Sequence, residues 1–174
     1  VEEAAALARK ADVAVLCIGL DESSESEGLD RSHICIPENQ KQLLEAVARA
    51  NENLVVVLSA VSVVDTGWVS RCKAVLHAYL GGQAGAGAIM DVLTGRVNPS
   101  GKLAETLPLT YEDSPAARYF PGKNQNVEYR EGLYVGYRYY ETAHVPVRYP
   151  FGYGLSYTTF AYAGLTADTD KVTF

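Results

Sequence analysis

The sequence predicts an α/β fold: a three-layer α/β/α sandwich on a mostly parallel sheet, followed by an aromatic-rich, extended C-terminal segment. Three observations lead to this prediction. Short apolar runs alternate with segments of helical periodicity through the first two-thirds of the chain, an order typical of parallel sheets with helices on both faces. The 174 residues, 48% hydrophobic and 21% charged, suffice for one domain with its own core. Eleven of the twelve tyrosines lie between Tyr111 and Tyr162, where long periodic runs are absent.

The first half of the predicted sandwich is a helix, a strand and a second helix. Residues 2–10 carry alanine and leucine at helical spacing. Residues 13–18 form a continuous apolar run that ends at Gly19, and such a run predicts a parallel strand buried on both faces. Pro37 predicts the first turn of the next helix, whose apolar positions repeat at helical spacing up to Ala50.

Two further strands and a third helix complete the predicted sandwich. Residues 54–58 and 74–79 are short and apolar, and both predict strands of the same sheet. A helix is expected over residues 84–93, with Gly95 as its C-terminal stop. The order of strands and helices implies a mostly parallel sheet with helices on both faces, in which ligands gather at the loops after the strands.

Beyond Gly101 the pattern changes. Residues 101–150 are rich in tyrosine, arginine and glycine, and predict an extended segment over a surface, with one short helix or strand near Tyr134. Residues 153–166 alternate and predict a final strand or a linker. We therefore predict one domain over residues 1–160 and the start of a linker over residues 161–174.

Charge and composition exclude several classes of protein. The net charge of −6 argues against a nucleic-acid partner, because affinity for phosphate comes from clustered lysine and arginine. No apolar run approaches the ~20 residues that cross a bilayer, so no membrane association is expected. The first residues already have helical character, which predicts that the chain begins inside a larger protein. The three cysteines have no close pair, which predicts buried free thiols and favours a reducing, cytoplasmic compartment.

The loop after the first strand concentrates negative charge. Five carboxylates occur within ten residues, followed by Arg31: Asp21, Glu22, Glu25, Glu27 and Asp30. One interpretation is a solvated surface loop, since like charges are costly unless solvated or paired. The other is a catalytic loop, because it follows a strand of the predicted parallel sheet and an Asp30–Arg31 pair could fix its geometry. A glycosidase needs a carboxyl group that donates a proton to the leaving oxygen, and neighbouring carboxylates can raise its pKa.

Five stretches together resemble the C-terminal α/β domain of family 3 glycoside hydrolases, in the order found in that family. The Glu-Ser-Glu-Gly-Leu-Asp-Arg stretch at residues 25–31, with the Ile-Cys-Ile-Pro that follows, resembles the family's acidic loop. The other four are residues 51–58, residues 82–103 with their Gly-Gln and Asn-Pro-Ser-Gly-Lys-Leu, residues 129–140, and residues 149–157. The resemblance covers essentially the whole chain.

The resemblance implies a retaining β-glycosidase, with β-linked glucosides or oligosaccharides as its substrates. It implies a barrel domain of the same polypeptide as partner, which carries the Asp nucleophile, while the acidic loop carries the general acid/base. By position, Glu27 is our first choice for the acid/base and Glu25 our second, and Asp30 and Arg31 are expected to be structural or to contact sugar. The fragment alone is then expected to be inactive. A β-xylosidase or arabinosidase of the same family, and a non-catalytic carbohydrate-binding or structural module, remain alternatives.

Two departures from the family pattern lie near the expected domain interface. Residues 61–64 read Val-Ser-Val-Val where the family usually shows glycine and proline, and Ala84 stands where a glutamate usually follows the Gly-Gln pair. No cofactor and no metal site are predicted, because no histidine, cysteine and carboxylate combination has ligand spacing. His77 lies inside a strand and predicts a satisfied core or edge histidine, and Trp68 predicts a packing residue rather than a sugar platform.

Overall fold

The computed structural model describes residues 1–168. Its α-helices are α1 (Glu2–Ala8), α2 (Glu38–Ala50), α3 (Gly85–Leu93) and α4 (Tyr137–Thr142). Its strands are β1 (Ala14–Gly19), β2 (Leu54–Ser59), β3 (Ala74–His77), β4 (Leu107–Pro108) and β5 (Val147–Tyr149). Two short 3-10 helices span Gly67–Arg71 and Tyr111–Asp113.

The three predicted strands form one parallel sheet in the order β1-β2-β3. In this register Ala14 lies opposite Leu54, and Leu58 lies opposite His77. The mixed α/β class with a parallel sheet, predicted from the apolar runs, is confirmed. All three strands therefore deliver their following loops to the same edge of the sheet.

One face of the sheet carries the hydrophobic core. The helices α1 and α2 cover this face, and Asn51 joins their ends by donating through Nδ2 to the carbonyl oxygens of Ala8 and Ala11, at 2.9 and 2.7 Å. The largest side chains that are fully buried are Leu44, Leu54, Val56, Leu58 and Val64. Trp68 joins this core, as predicted for a packing residue.

The opposite face of β1 is open. Side chains alternate between faces along a strand, and Ile18 on the core side is only 5% exposed whereas Val15 is 53% exposed. Cys17, on the same face as Val15, is also exposed. The prediction that this strand is buried on both faces is therefore wrong for residues 1–168. A continuous apolar run gives the composition of both faces of a strand, and in residues 1–168 only the face of β1 that meets the core is buried.

The helix α3 forms where predicted but buries none of its residues. Gly95, at φ 76°, adopts the left-handed conformation that ends a helix, as expected. Nevertheless, the apolar side chain of Met90 is 55% exposed, and no residue of α3 is buried. The helix thus presents a mostly apolar surface, like the open face of β1.

The tyrosine-rich part of the chain is less extended than predicted. It holds α4 close to the predicted position near Tyr134, and β4 pairs antiparallel with β5, a ladder that the sequence analysis did not anticipate. No strand forms over residues 153–166. The predicted linker at residues 161–174 stays a prediction, and residues 169–174 lie outside the described part of the chain.

The cysteines are free, but the prediction that they are buried is wrong for two of them. Cys17 and Cys35 are exposed, and Cys72 is partly buried. Cys17 is exposed because it lies on the open face of β1.

Candidate functional site

The acidic loop leaves the sheet at a point where only glycine fits. A Cβ atom on Gly19 would lie 2.0 Å from the carbonyl oxygen of Ser59, at the end of the neighbouring strand. The amide of Gly19 donates to Gln40 Oε1 at 2.9 Å, and the amide of Leu20 donates to the Ser59 carbonyl at 3.0 Å. The loop therefore starts from a fixed position beside β2, at the edge where ligands of parallel sheets bind.

Asp21 shapes the first turn of the loop. Its Oδ1 accepts hydrogen bonds from the amides of Ser23 and Ser24, both at 3.1 Å, and from the Ser23 hydroxyl at 2.6 Å. These bonds from Ser23 and Ser24 lower the pKa of Asp21. The carboxylate is therefore committed to local structure.

Glu25 ties the loop to the segment after β2. Its Oε2 accepts the amide of Val61 at 2.9 Å, and its Oε1 accepts the amide of Ser62 at 2.9 Å and the Ser62 hydroxyl at 2.6 Å. Burial alone would raise the pKa of Glu25, but the hydrogen bonds from Ser62 and Val61 outweigh burial, and the pKa is lowered. Glu25 is therefore held as a carboxylate.

Arg31 closes the same arrangement from the other end of the loop. Its Nη1 donates to Ser62 Oγ at 2.7 Å and to the Val63 carbonyl at 3.1 Å, and it lies 3.8 Å from Glu25 Oε1. The side chains of Arg31 and Glu25 are 19% and 13% exposed. We call Glu25, Arg31 and Ser62 the clasp. The prediction that Arg31 pairs with Asp30 is wrong. Arg31 pairs with Glu25 instead, and both side chains also form hydrogen bonds with Ser62.

The stretch between the two ends of the clasp faces solvent. Glu27 and Asp30 are exposed, and Leu29 between them is 70% exposed. Gly28 has φ 79°, a conformation that residues with a Cβ rarely adopt. Within residues 1–168 neither Glu27 nor Asp30 makes a side-chain hydrogen bond or ion pair. We call residues 26–30 the free stretch.

Several polar residues at this edge escaped the sequence analysis. The sequence marks Ser62 only as a departure from the family pattern, and no motif includes Glu105. Glu105 is half-buried, and burial together with the charge of Glu25 raises its pKa. His77 was expected to be satisfied, yet its Nε2 is buried without a hydrogen-bond partner. A serine or glutamate in an irregular segment is not part of a periodic pattern, so its position in the folded structure cannot be predicted from sequence periodicity.

The rest of residues 1–168 was searched for metal sites, membrane-spanning helices and clefts with the following result. No group of three or more histidine, cysteine or acidic side chains in this part of the chain is arranged to hold a metal ion. The helices described here are all too short or too polar to cross a membrane. A cleft of 510 Å³ opens in the tyrosine-rich part, lined among others by Arg118, Tyr119 and Arg130, and it does not include the acidic loop.

Residues 1–157 match the glycosyl hydrolase family 3 C-terminal domain. Among curated proteins, the chain is 52% identical over 172 residues to the thermostable beta-glucosidase B of Acetivibrio thermocellus, covering 99% of this chain and 23% of that protein. It is 48% identical over 164 residues to an exo-alpha-(1->6)-L-arabinopyranosidase of Bifidobacterium longum, covering 94% of this chain and 22% of that protein.

Solved structures give the same picture. The family 3 beta-glucosidase of Bifidobacterium adolescentis superposes with a TM-score of 0.89 at 50% identity, covering 92% of this chain and 24% of that one. The beta-glucosidase of Kluyveromyces marxianus, solved with glucose, gives a TM-score of 0.87 at 44% identity, covering 91% and 19%. The chain thus spans about a quarter or less of the length of these relatives.

Proposed function

The chain belongs to the glycosyl hydrolase family 3 C-terminal domains, and on that premise we propose that it supplies the general acid/base of a retaining β-glycosidase. The observation that carries the proposal is the contrast inside the acidic loop. The clasp fixes both ends of the loop at the ligand-binding edge of the sheet, while the carboxyl group of Glu27 is left free between them. A proton donor needs a backbone held in position and a carboxyl group that is not engaged in other hydrogen bonds. Glu27 meets both requirements.

Glu27 stays our first choice for the acid/base, and the clasp adds a reason. A general acid must carry its proton at the working pH, so its pKa must be raised. The pKa of Glu25 is lowered instead, because the bonds from Ser62 and Val61 outweigh the opposing effect of burial. Glu25 therefore suits the role of a residue that positions the loop, and it remains the second choice for the acid/base.

The proposed reaction has two steps. In the first, the Glu27 carboxyl group gives its proton to the glycosidic oxygen as the bond from that oxygen to the anomeric carbon breaks, and an aspartate carboxylate bonds to the anomeric carbon. In the second, the Glu27 carboxylate takes a proton from water, whose oxygen attacks the anomeric carbon and releases the aspartate. Retention requires the two carboxyl groups to lie about 5–5.5 Å apart.

The proposed source of the aspartate is a barrel domain of the same polypeptide. Support comes from the length of the relatives, which are about four times longer than this chain. Further support comes from the apolar surface left open on β1 and α3, where Val15 and Met90 are more than half exposed. Exposed apolar side chains on both elements favour association with another domain.

We propose β-glucosides as the first substrate class, since three of the relatives named above are beta-glucosidases. An arabinoside is the second candidate, since one relative at 48% identity is an arabinopyranosidase, and a β-xyloside stays open on the same grounds. Asp30, exposed beside Glu27, is our proposed sugar contact, whereas Arg31 is engaged in the clasp. No cofactor is part of the proposal.

The test uses the full-length polypeptide that contains these residues. Replacing Glu27 by alanine should lower kcat/KM for aryl β-glucosides with poor leaving groups by about 10²–10⁴-fold. Substrates with good leaving groups should be less affected, and added azide should restore their turnover by replacing water in the second step. Glu22→Ala, on the same exposed loop, is the matched control and should behave like the wild type.

Two outcomes would overturn the assignment. If Glu25→Ala shows azide rescue and Glu27→Ala does not, Glu25 is the acid/base. If Glu27→Ala weakens sugar binding with no rescue by azide, the domain is a carbohydrate-binding or structural module instead. The 174 residues alone should not hydrolyse aryl β-glucosides, and turnover by this chain would contradict the shared active site.

A further inference from the structure

The segment that follows β2 holds the acidic loop on both sides of the free stretch. We call residues 61–65 the support. Its amides at residues 61 and 62 donate to Glu25, and its carbonyl oxygen at residue 63 accepts from Arg31. At the end of the support, the amide of Asp65 donates to the carbonyl oxygen of Ile34 at 2.6 Å. The parts of the loop before and after the free stretch are therefore attached to one and the same segment.

The support is in turn fixed by the hydrophobic core. Val64 is fully buried, and Trp68, just beyond the support, is 8% exposed. The indole of Trp68 donates through Nε1 to the Asp65 carbonyl oxygen at 2.8 Å, and the Asp65 carboxylate accepts the amide of Gly67 at 2.8 Å. Because a close-packed core resists displacement of its side chains, the support has one position, and the loop takes its own position from it.

The backbone of the free stretch is also defined. The amide of Leu29 donates to the carbonyl oxygen of Ser26 at 3.2 Å, and Gly28, at the third position of this turn, has φ 79°. A single positive φ at the third position is typical of a type II β-turn, which has Glu27 at its second position. Both ends of the turn lie within two residues of the clasp. The place of the Glu27 side chain is therefore set by the turn and by the clasp residues that flank it.

Arg31 joins these parts through one nitrogen atom. Its Nη1 donates to Ser62 Oγ and to the Val63 carbonyl oxygen, and the same atom lies beside the carboxylate of Glu25. The other terminal nitrogen, Nη2, is buried and makes no hydrogen bond within residues 1–168. An arginine keeps its charge at every working pH. One permanent cation thus links the support to both sides of the loop.

We propose that Arg31 is a positioning residue for the general acid, whose bonds to the support place the Glu27 carboxyl group at the glycosidic oxygen. The inference rests on the proposed acid/base role of Glu27 and deepens it. A general acid works only within hydrogen-bond reach of the atom that it protonates, so a displacement of about 1 Å can cost about 10²-fold in rate. Residues 61–64, which depart from the family pattern, then act on the acid rather than on the sugar.

The experiment measures how the rate depends on the leaving group. In the full-length polypeptide, Arg31→Ala should lower kcat/KM by up to about 10²-fold for aryl β-glucosides with poor leaving groups, and by less than about threefold for those with good ones. The Kd of glucose should not change, because Arg31 acts through Glu27 and does not bind the sugar. Arg49→Ala removes an exposed arginine of α2 and is the matched control, which should behave like the wild type.

Two further variants keep the test decisive if Arg31→Ala is poorly folded. A lysine ammonium can also donate to Ser62 Oγ and to the Val63 carbonyl oxygen, since both bonds come from one nitrogen, so Arg31→Lys should regain most of the lost rate. Ser62→Ala removes one of the two acceptors of Nη1 and should show a smaller loss with the same dependence on the leaving group. The thermal midpoint of each variant separates unfolding from displacement of the acid.

The outcomes separate this inference from the assignment of the acid. Losses that grow as the leaving group becomes poorer, steeply in Glu27→Ala and less steeply in Arg31→Ala, support it. Equal losses of Arg31→Ala for all leaving groups, or a raised Kd for glucose, overturn the positioning role and leave the role of Glu27 unaffected. A Glu27→Ala variant whose loss does not depend on the leaving group overturns the proposed function, and this inference with it.

Discussion

The clasp and the free stretch lie in the same loop, carry the same residue type two positions apart, and have opposite environments. In the clasp, the Glu25 carboxylate accepts three hydrogen bonds and faces an arginine, so its proton is disfavoured. In the free stretch, Glu27 is exposed on a turn made by Gly28. The difference shows that carboxylates clustered in sequence can have unlike environments: Glu25 is held by hydrogen bonds that fix the loop, whereas Glu27 is exposed.

The largest loss of stability and activity is expected at Gly19, because the positions of both the clasp and the free stretch depend on this residue. Gly19→Ala places a Cβ atom 2.0 Å from the Ser59 carbonyl, so the ends of β1 and β2 must separate. This should cost about 1–3 kcal/mol in the free energy of unfolding and displace the clasp and the free stretch together. Chemical denaturation and kcat/KM of the full-length protein measure the two effects.

Gly28→Ala is the matched control for that change. Nothing lies within 4 Å of a Cβ atom at Gly28, so only its positive φ opposes the substitution. We expect about 1 kcal/mol, confined to the free stretch. If Gly28→Ala destabilises the protein as much as Gly19→Ala, the close approach of the strands is not what fixes the loop.

Removing the clasp carboxylate comes next. Glu25→Ala leaves the amides of Val61 and Ser62 without their acceptor and Arg31 without its counter-charge. We expect a loss of about 1–3 kcal/mol in the free energy of unfolding and lower activity that azide does not restore. Rescue by azide would place chemistry in the clasp and remove the contrast between the two regions.

The pH dependence of stability should also separate the two regions. The pKa of Glu25 is lowered in the folded state, so its contribution is present above the unfolded value, near 4.5, and is lost as pH falls through the folded value. Wild type should therefore exceed Glu25→Gln in stability at neutral pH, and the gap should narrow as pH falls below the unfolded value of 4.5. Urea titrations across this range measure the gap, and a gap that persists in acid would contradict the ionised clasp.

The smallest changes in stability are expected for two single substitutions, one that removes the Ser62 hydroxyl of the clasp and one that removes the exposed charge of Glu22. Ser62→Ala removes the hydroxyl that donates to Glu25 and accepts from Arg31. We expect about 1 kcal/mol, since the backbone amide still binds the carboxylate. Glu22→Ala on the exposed side should change stability by less than about 0.5 kcal/mol. Equal effects of the two changes would show that the clasp contributes no stability.

The sequence predicted the three strands of the parallel sheet, the first three helices and the edge where the acidic loop lies, because these follow from local periodicity. It could not separate Glu25 from Glu27, since the partner that separates them is Ser62, 37 positions from Glu25. Periodicity reports local structure, whereas the state of a carboxyl group is set by contacts distant in sequence.

The open face of β1 bears on how this domain can be exchanged between proteins. Val15 and Cys17 are exposed on a strand whose neighbour β2 is well buried, so a recombined gene that carried only these residues would also carry an uncovered apolar surface. Such a product would self-associate through that surface. A chimeric protein built from residues 1–168 alone would therefore need a covering segment on β1 to avoid that association.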